Sequence, residues 1–420
     1  MSGRASSWRN RDVWAVSLSA FFADAGYQSV WAGFSLFLVV VLHQPVWEFG
    51  VASAFAYGGG ALFSVAGARL GDRIGHRRLA LLGNAAIPLL SLSALSVSPA
   101  VAIGLLCGGW WARNLRSPSR RVMLVEAVPR EADRSSAFGF LHALDVGGGA
   151  VAGLYVLVSV LAGVAFRWVF LVTLAPLVVS TVALSRARTG RAAAQAAGPA
   201  RASAPVAGDD RATAGDDPPA AGDDPAASAL PGSRSLLAAA ALYGFTYYSV
   251  GFPVLTLAER GHHLAYGIGA FLAFQGVSAA TGYLLGSRFP AGLPGRFANL
   301  GLLGYLSSAL GSVVLAAGYA AGLGTPVLML GVALLGFALG VVETLEPSVM
   351  STLHPGRQAG RGFGALSAAR SVGLVVANLA LGFLYGLGPA WSYGYAASVA
   401  VVAAAVIVLA IPAVRAAEVA

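Results

Sequence analysis

Apolar residues run through this chain in blocks too long for a soluble core, and short polar breaks separate them. A helix that crosses a bilayer needs about 20 predominantly apolar residues. Reading the blocks between breaks gives twelve such stretches: 12–42, 46–68, 79–98, 100–119, 135–162, 168–185, 235–258, 264–287, 297–320, 325–350, 362–386 and 390–413. The pattern predicts an all-α protein with twelve membrane-spanning helices. Two of the breaks, Ser98-Pro99 and Gly388-Pro389, are single dipeptides in which proline stops one helix and opens the next. The first block follows a short basic tail, is too long for a signal-peptide core and has no small-residue cleavage pattern behind it. It is expected to stay as the first helix.

Residues 186–234 are different material. Ala-Gly-Asp-Asp recurs at 207, 214 and 221 amid alanine and proline, and no apolar period survives. Such composition predicts a disordered linker, which divides the chain into a six-helix bundle over 1–185 and another over 235–420. The two halves also repeat. Phe138-Gly139 through Asp145 and Gly147 in the fifth block matches Phe363-Gly364 through Arg370 and Gly373 in the eleventh, with a mid-span charge recurring at an offset of 225. Duplicated six-helix halves are a transporter pattern.

Composition agrees. Hydrophobic residues make up 57% of the 420 and charged residues 11%, against about 45–50% and about 25% in soluble domains; mean hydropathy is +0.72. All 27 basic residues are arginine and the net charge is +9. A basic balance can signal nucleic acid, but these arginines lie beside apolar blocks rather than on a soluble face. A lipid bilayer is therefore the expected surrounding, and nucleic acid is not an expected partner. With the N-terminus inside, 22 arginines fall on that side, two (Arg167 and Arg260) fall outside, and Arg113, Arg116 and Arg370 fall within spans. The positive-inside rule then places both termini on the cytoplasmic side of the cell membrane. A lone cysteine, Cys107, excludes an intramolecular disulfide.

One break is unlike the rest: Asp72-Arg73-Ile74-Gly75-His76-Arg77-Arg78 packs charge around a glycine between the second and third blocks. This stretch resembles the loop 2–3 signature of the major facilitator superfamily, in which a glycine precedes Asp-Arg-x-Gly-x-Arg-Arg. The leading glycine is Ala68 here, with Gly67 and Gly71 nearby. In the second half, Gly282-Tyr283-Leu284-Leu285-Gly286-Ser287-Arg288 keeps glycines and one arginine but lacks the aspartate. The resemblance covers all the spans and implies two pseudo-symmetric six-helix bundles, with spans 1, 4, 7 and 10 around a central cavity. It also implies a gating loop of Asp72, Arg73, Gly75, Arg77 and Arg78 that latches the halves in the outward-facing state. Phe21 to Gln28 and Arg116-Ser117-Pro118-Ser119-Arg120 resemble a poorly characterised prokaryotic group of that superfamily. The Gly-Pro step of the span 5 antiporter signature is absent, since Gly147 to Gly153 contains no proline.

Charges inside a bilayer cost several kcal/mol unless paired or hydrated, which makes each one a candidate. Here they are Asp24, Arg113, Arg116, Asp145, Glu343, Glu346 and Arg370. Arg113 and Arg116 share a helix face, as do Glu343 and Glu346, by their i, i+3 spacing. Arg113 is expected to answer Asp24 or Asp145, and Glu343 to answer Arg370. The resemblance makes Asp24, Arg113 and Glu343 the cavity candidates and sets Asp145 and Arg370 where the halves meet. Ion pairs that only lock helices together are the competing reading. Gln28, Tyr27, Tyr243, Tyr247, Tyr248 and Gln275 could offer ligand contacts, although Tyr243 also fits an interfacial anchor. Pro118 and Pro347 mark either a gating bend or a helix end. Gly58 to Gly60 and Gly147 to Gly149 fit close helix packing. Glu259-Arg260-Gly261-His262-His263 is expected in a solvated outer loop, because two adjacent imidazoles chelate poorly.

The resemblance implies a secondary active transporter working by alternating access on a small-molecule substrate. Proton coupling through Asp24 or Glu343, net efflux and a monomeric state are the expected specifics. Uptake, transport of a metal cation held by Asp24 and Glu343, and a non-transporting sensor or scaffold remain open. No Walker loop, Ser/His/Asp set or zinc spacing appears, so no cofactor, resident metal or enzymatic activity is expected.

Overall fold

The computed structural model describes residues 10–128, 131–188, 232–246, 248–285, 292–353 and 359–419. Among these residues every regular element is a helix. α1 (Arg11–Leu36) runs on into a π-helical turn, Phe37–Val41; α2 spans Val46–Ile74; and α3 (His76–Ala86) runs on into a 3-10 stretch, Ile87–Leu95. α4 spans Pro99–Ala127, α5 Glu131–Leu161, and α6 has two pieces, Phe166–Val172 and Leu174–Ser185. α7 also has two pieces, Ser233–Thr246 and Gly251–Arg260, and α8 spans Leu264–Leu285. α9 comprises Leu293–Asn299, a π-helical turn Leu300–Tyr305 and Leu306–Ala320. α10 (Thr325–Leu353), α11 (Ala359–Leu387) and α12 (Pro389–Leu409) complete the set, followed by a short α13, Ile411–Val419.

The twelve predicted blocks all fall on α1 to α12, and ten of these stretches are long and apolar enough to cross a membrane. The two that fall short have visible reasons. α4 carries arginines along its length, and α7 is interrupted. The interruption follows from Pro253, which has no N–H to give the Ser249 carbonyl one turn earlier. The Ser249 carbonyl accepts from the Phe252 N–H at 3.1 Å instead, the Ser249 N–H donates to Asn378 Oδ1 at 3.0 Å, and the Gly251 N–H to Ser249 Oγ at 3.3 Å. A break in a spanning helix persists only where neighbours satisfy its backbone in this way.

The proline breaks behave as predicted. Ser98 is the N-cap before Pro99, and Gly388 turns at φ +140 before Pro389. The end of α4 does not. It was expected at 119, but the helix passes Pro118 and continues to Ala127, so Arg120 and Arg121 are helical rather than in a loop. α10 likewise passes Pro347. Neither proline sits at a helix end. Gly75 alone separates α2 from α3; its φ of +92 is the left-handed region that glycine enters freely, so one helix ends and the next begins within a single residue.

Helices α1 to α6 pack mainly on one another, as do α7 to α12. The two bundles meet where α2 lies on α11, α5 on α8, and α1 on the second piece of α7. At Gly50 the α2–α11 contact is backbone to backbone. A Cβ at Gly50 would stand 2.6 Å from the Asn378 carbonyl and 2.7 Å from Gly382 Cα. Trp47 stacks on Phe383 beside it at 6.0 Å, and Phe49 meets Phe252 at 5.3 Å. Within a bundle, Gly60 faces Asn114 and Gly148 faces the Phe21 backbone, the close approach that small residues permit. Valine at position 50 is expected to cost about 1–3 kcal/mol through overpacking. Thermal unfolding of purified Gly50→Val should show an earlier transition than the parent chain.

Candidate functional site

The mid-span charges gather into two clusters, one per bundle. In the first, α1 supplies Asp24 and Tyr27 one turn apart, and both are buried. Arg113 on α4 donates from Nη2 to the Tyr27 hydroxyl at 3.3 Å, and its guanidinium lies over the Tyr27 and Trp110 rings at 5.2 and 5.1 Å. Asp24 belongs to the same electrostatic cluster as Tyr27 and Arg113. Its Oδ1 is buried without a partner among the described residues. Arg116 is wholly buried and donates from Nη1 to Asn84 Oδ1; Asn84 in turn donates to Thr181 Oγ1 at 2.8 Å and Ser180 Oγ at 3.1 Å. This ties α4 to α3 and α6.

The expected partner of Asp145 is corrected here. Arg113 does not take it; Arg120 does, with Nη2 3.1 Å from Oδ2 and 3.4 Å from Oδ1. The block boundary at 119 leaves Arg120 just outside the fourth span. The extension of α4 buries it instead. The residues 113, 116 and 120 stand three and four apart, so one helix face carries all three arginines. That spacing was available in the sequence and marked Arg120 as a further candidate.

In the second cluster, Arg370 on α11 reaches both acids of α10. Nη1 donates to Glu343 Oε1 at 2.6 Å and Nη2 to Glu346 Oε2. Glu346 is wholly buried, whereas the Glu343 side chain is 53% exposed. The Tyr305 hydroxyl donates to Glu346 Oε1 at 2.7 Å, and Tyr243 stacks on Tyr305 at 4.7 Å. Tyr243 is thus a buried member of this cluster and not an interfacial anchor. The expected Glu343–Arg370 pair is present. Both Asp145 and Arg370 sit on helices at the bundle interface, but each pairs inside its own bundle.

Other candidates scatter. Gln28 is half-buried on α1, and Gln275 on α8 faces Gly149 of α5 across the interface. Tyr248 sits beside the α7 break, its hydroxyl 3.4 Å from Ser312 Oγ. Tyr247, Gly286 to Arg288 and linker residues 189–231 lie outside the described residues. In the gating stretch, Asp72 is exposed and 3.3 Å from His76 Nε2, and His76 Nδ1 is 3.2 Å from Ser119 Oγ. Arg77 donates to the Ala187 and Ser185 carbonyls at 2.9 and 2.7 Å, while Arg73 and Arg78 are exposed. Among the described residues these contacts stay within the first bundle. His262 and His263 are exposed, as a solvated loop requires. With Glu259, Tyr385, Val40 and Val160 they line a cavity of about 540 Å³ between the bundles, apart from both ion clusters.

Removing one partner of a buried pair leaves an uncompensated charge and costs about 3–5 kcal/mol, whereas removing both with apolar replacements of similar size is far cheaper. Arg370→Met should therefore lower the unfolding temperature of the purified protein more than the triple variant Arg370→Met, Glu343→Gln, Glu346→Met does.

With this geometry in place, comparison with known proteins is informative. The chain superposes on a POT family transporter in complex with 5-aminolevulinic acid (TM-score 0.72, 14% identity, 96% of each chain). It also superposes on a D-xylose-proton symporter (TM-score 0.70, 14% identity, 94% of this chain and 95% of that one) and the nucleoside transporter NupG (TM-score 0.64, 12% identity, 97% and 98%). At such identities these likenesses establish the fold. No curated protein matches the sequence. The family profile described as Major Facilitator Superfamily matches residues 16–313, most of the chain. A multi-pass, all-helical membrane protein with this signature loop and this profile belongs to the Major Facilitator Superfamily of transporters.

Proposed function

We propose that this chain is a proton-coupled secondary transporter of a small solute, in which Asp24 exchanges the proton. The carrying observation is the difference among the mid-span acids. Asp145, Glu343 and Glu346 each sit in an ion pair, whereas Asp24 is buried with no arginine in contact and one oxygen unpartnered among the described residues. A carboxyl without an ion pair can gain and lose a proton without breaking a helix-to-helix bridge. Its position on α1, beside Tyr27 and Arg113, couples it to the helix that would border the central cavity. A sensor or scaffold would be favoured by a cavity closed with salt bridges throughout, and Asp24 is the exception that favours transport.

Residues 1–185 and 235–420 are taken as the two moving units and 186–234 as their tether, both termini lying on the cytoplasmic side of the cell membrane. The arginine distribution supports this orientation, and the chain is taken to act as a monomer. Asp72, Arg73, Gly75, Arg77 and Arg78 are assigned to the gate on the cytoplasmic face, with Arg77 fixing the loop to the end of α6. Arg370, Glu343 and Glu346 are assigned a structural lock in the second bundle, with the exposed Glu343 facing the cleft. The proposed direction is efflux in exchange for protons.

Proteoliposomes with an imposed pH gradient test this across a panel of metabolites, drugs and metal ions. Asp24→Asn is expected to reduce gradient-driven transport at least tenfold while keeping solute-for-solute counterflow. Glu343→Gln should affect the gradient dependence less. Full gradient-driven transport by Asp24→Asn would remove the proton assignment.

A further inference from the structure

The first bundle holds more buried donors than it can satisfy. Six nitrogens lack an acceptor among the described residues: Trp31 Nε1, Arg113 Nε, Arg116 Nε and Nη2, and Arg120 Nε and Nη1. Among the described residues the one buried carboxylate oxygen without a donor is Asp24 Oδ1. Three guanidinium groups on α4 also share the bundle with only two mid-span carboxylates, Asp24 and Asp145, of which Asp145 alone is in an ion pair among the described residues, and this leaves one positive charge over. Native interiors leave few such groups without partners, so each calls for an occupant or another explanation.

The surroundings of Arg113 indicate what that occupant would be. Its guanidinium lies over Trp110, which meets Trp31 edge-on at 4.9 Å and Tyr57 edge-on at 5.6 Å. Trp31 and Tyr57 stack at 5.5 Å. Tyr57 extends this wall to the bundle interface, where the next residue, Gly58, packs against Val375 of α11. Arg113 and Tyr57 are half-buried, and Trp31 and Trp110 are less than a tenth exposed. A flat surface, a cationic fork and an indole N–H without an acceptor among the described residues therefore adjoin one another, with Tyr57 at the bundle interface.

We propose that this wall binds the anionic end of the cargo: a small organic anion whose carboxylate is joined to a flat ring, the carboxylate on Arg113 and the ring against Tyr57 and Trp110. Trp31 Nε1 supplies a further hydrogen bond to the same carboxylate. Arginine is suited to both parts of this task, since its planar fork matches a carboxylate and stacks on aromatic faces. A cationic cargo would add to the excess positive charge, and a neutral one would leave it uncompensated. The inference rests on the transport reading of the same site and narrows it to a substrate class.

Three probes that share a ring and differ in charge make the test: benzoate, benzamide and benzylamine, with acetate as the ring-free anion. Binding to the full-length protein in detergent is read from the concentration dependence of its thermal unfolding at pH 7.5. Benzoate is expected to stabilise saturably, at least tenfold more tightly than acetate, and the amide and amine are not. Arg113→Gln should weaken benzoate at least tenfold, Arg113→Lys less, and Trp31→Phe, which keeps a ring and removes only the N–H, two- to fivefold. Equal binding of benzamide or benzylamine, no saturable effect of benzoate, or unchanged benzoate affinity in Arg113→Gln would overturn the inference. Counterflow in proteoliposomes separates it from the transport reading. Benzoate that binds through Arg113 but is never translocated keeps this inference and removes transport; transport of a neutral or cationic solute without benzoate binding does the reverse.

Discussion

The cost of placing a charge in hydrocarbon, several kcal/mol unless it is paired or hydrated, organises the contacts between the spans of this protein. Arg370 holds two acids of α10 from α11, Tyr305 brings α9 to one of them, and the Tyr243 ring adds α7. Four of the six helices in the second bundle meet at that point. In the first bundle, Arg120 and Asp145 join α4 to α5, Arg116 and Asn84 join α4 to α3, and Arg113 joins α4 to α1 through Tyr27. Hydrophobic burial does little to choose partners among helices when the solvent is itself apolar, so polar contacts and close packing carry the specificity.

The two clusters also show how a duplicated architecture diverges. Asp145 and Arg370 occupy equivalent places at an offset of 225, and each pairs with the preceding helix of its own bundle. The sign of the charge is exchanged between the halves: acid on α5 with base on α4, base on α11 with acids on α10. What the fold requires there is a bridge between neighbouring helices, and either polarity supplies it. The result is a first bundle with spare positive charge and a second with spare negative charge.

Much of the fold was legible because spanning helices announce themselves by length and apolar character, independent of tertiary context. The twelve blocks, the turns at Ser98-Pro99 and Gly388-Pro389 and the loop around Gly75 were all readable in that way. Details that depend on partners were not. Arg120 lies past the point where apolar character fades, and only its burial against Asp145 shows that α4 continues. The α7 break has a local cause in Pro253, yet the proline sits inside an apolar block whose composition conceals it. Among the site residues, the Glu343–Arg370 pair followed from charge and position, whereas Asn84, Tyr305 and the aromatic wall required knowledge of which helices touch. Tyr243 was ambiguous because a tyrosine near a span end serves equally as an anchor or as a stacking partner.

The contact between Gly50 and Gly382 carries a mechanical consequence. Where two helices touch through Cα atoms, no side-chain rotamers at that point must be re-sorted when their tilt changes, so that point behaves as a bearing rather than a ratchet. Resistance to motion is then concentrated at its rim, where Trp47 and Phe383 stack at 6.0 Å and would have to slide apart. A change of tilt at the glycines would have to part that stack, with Phe49 and Phe252 as a second aromatic contact between the bundles.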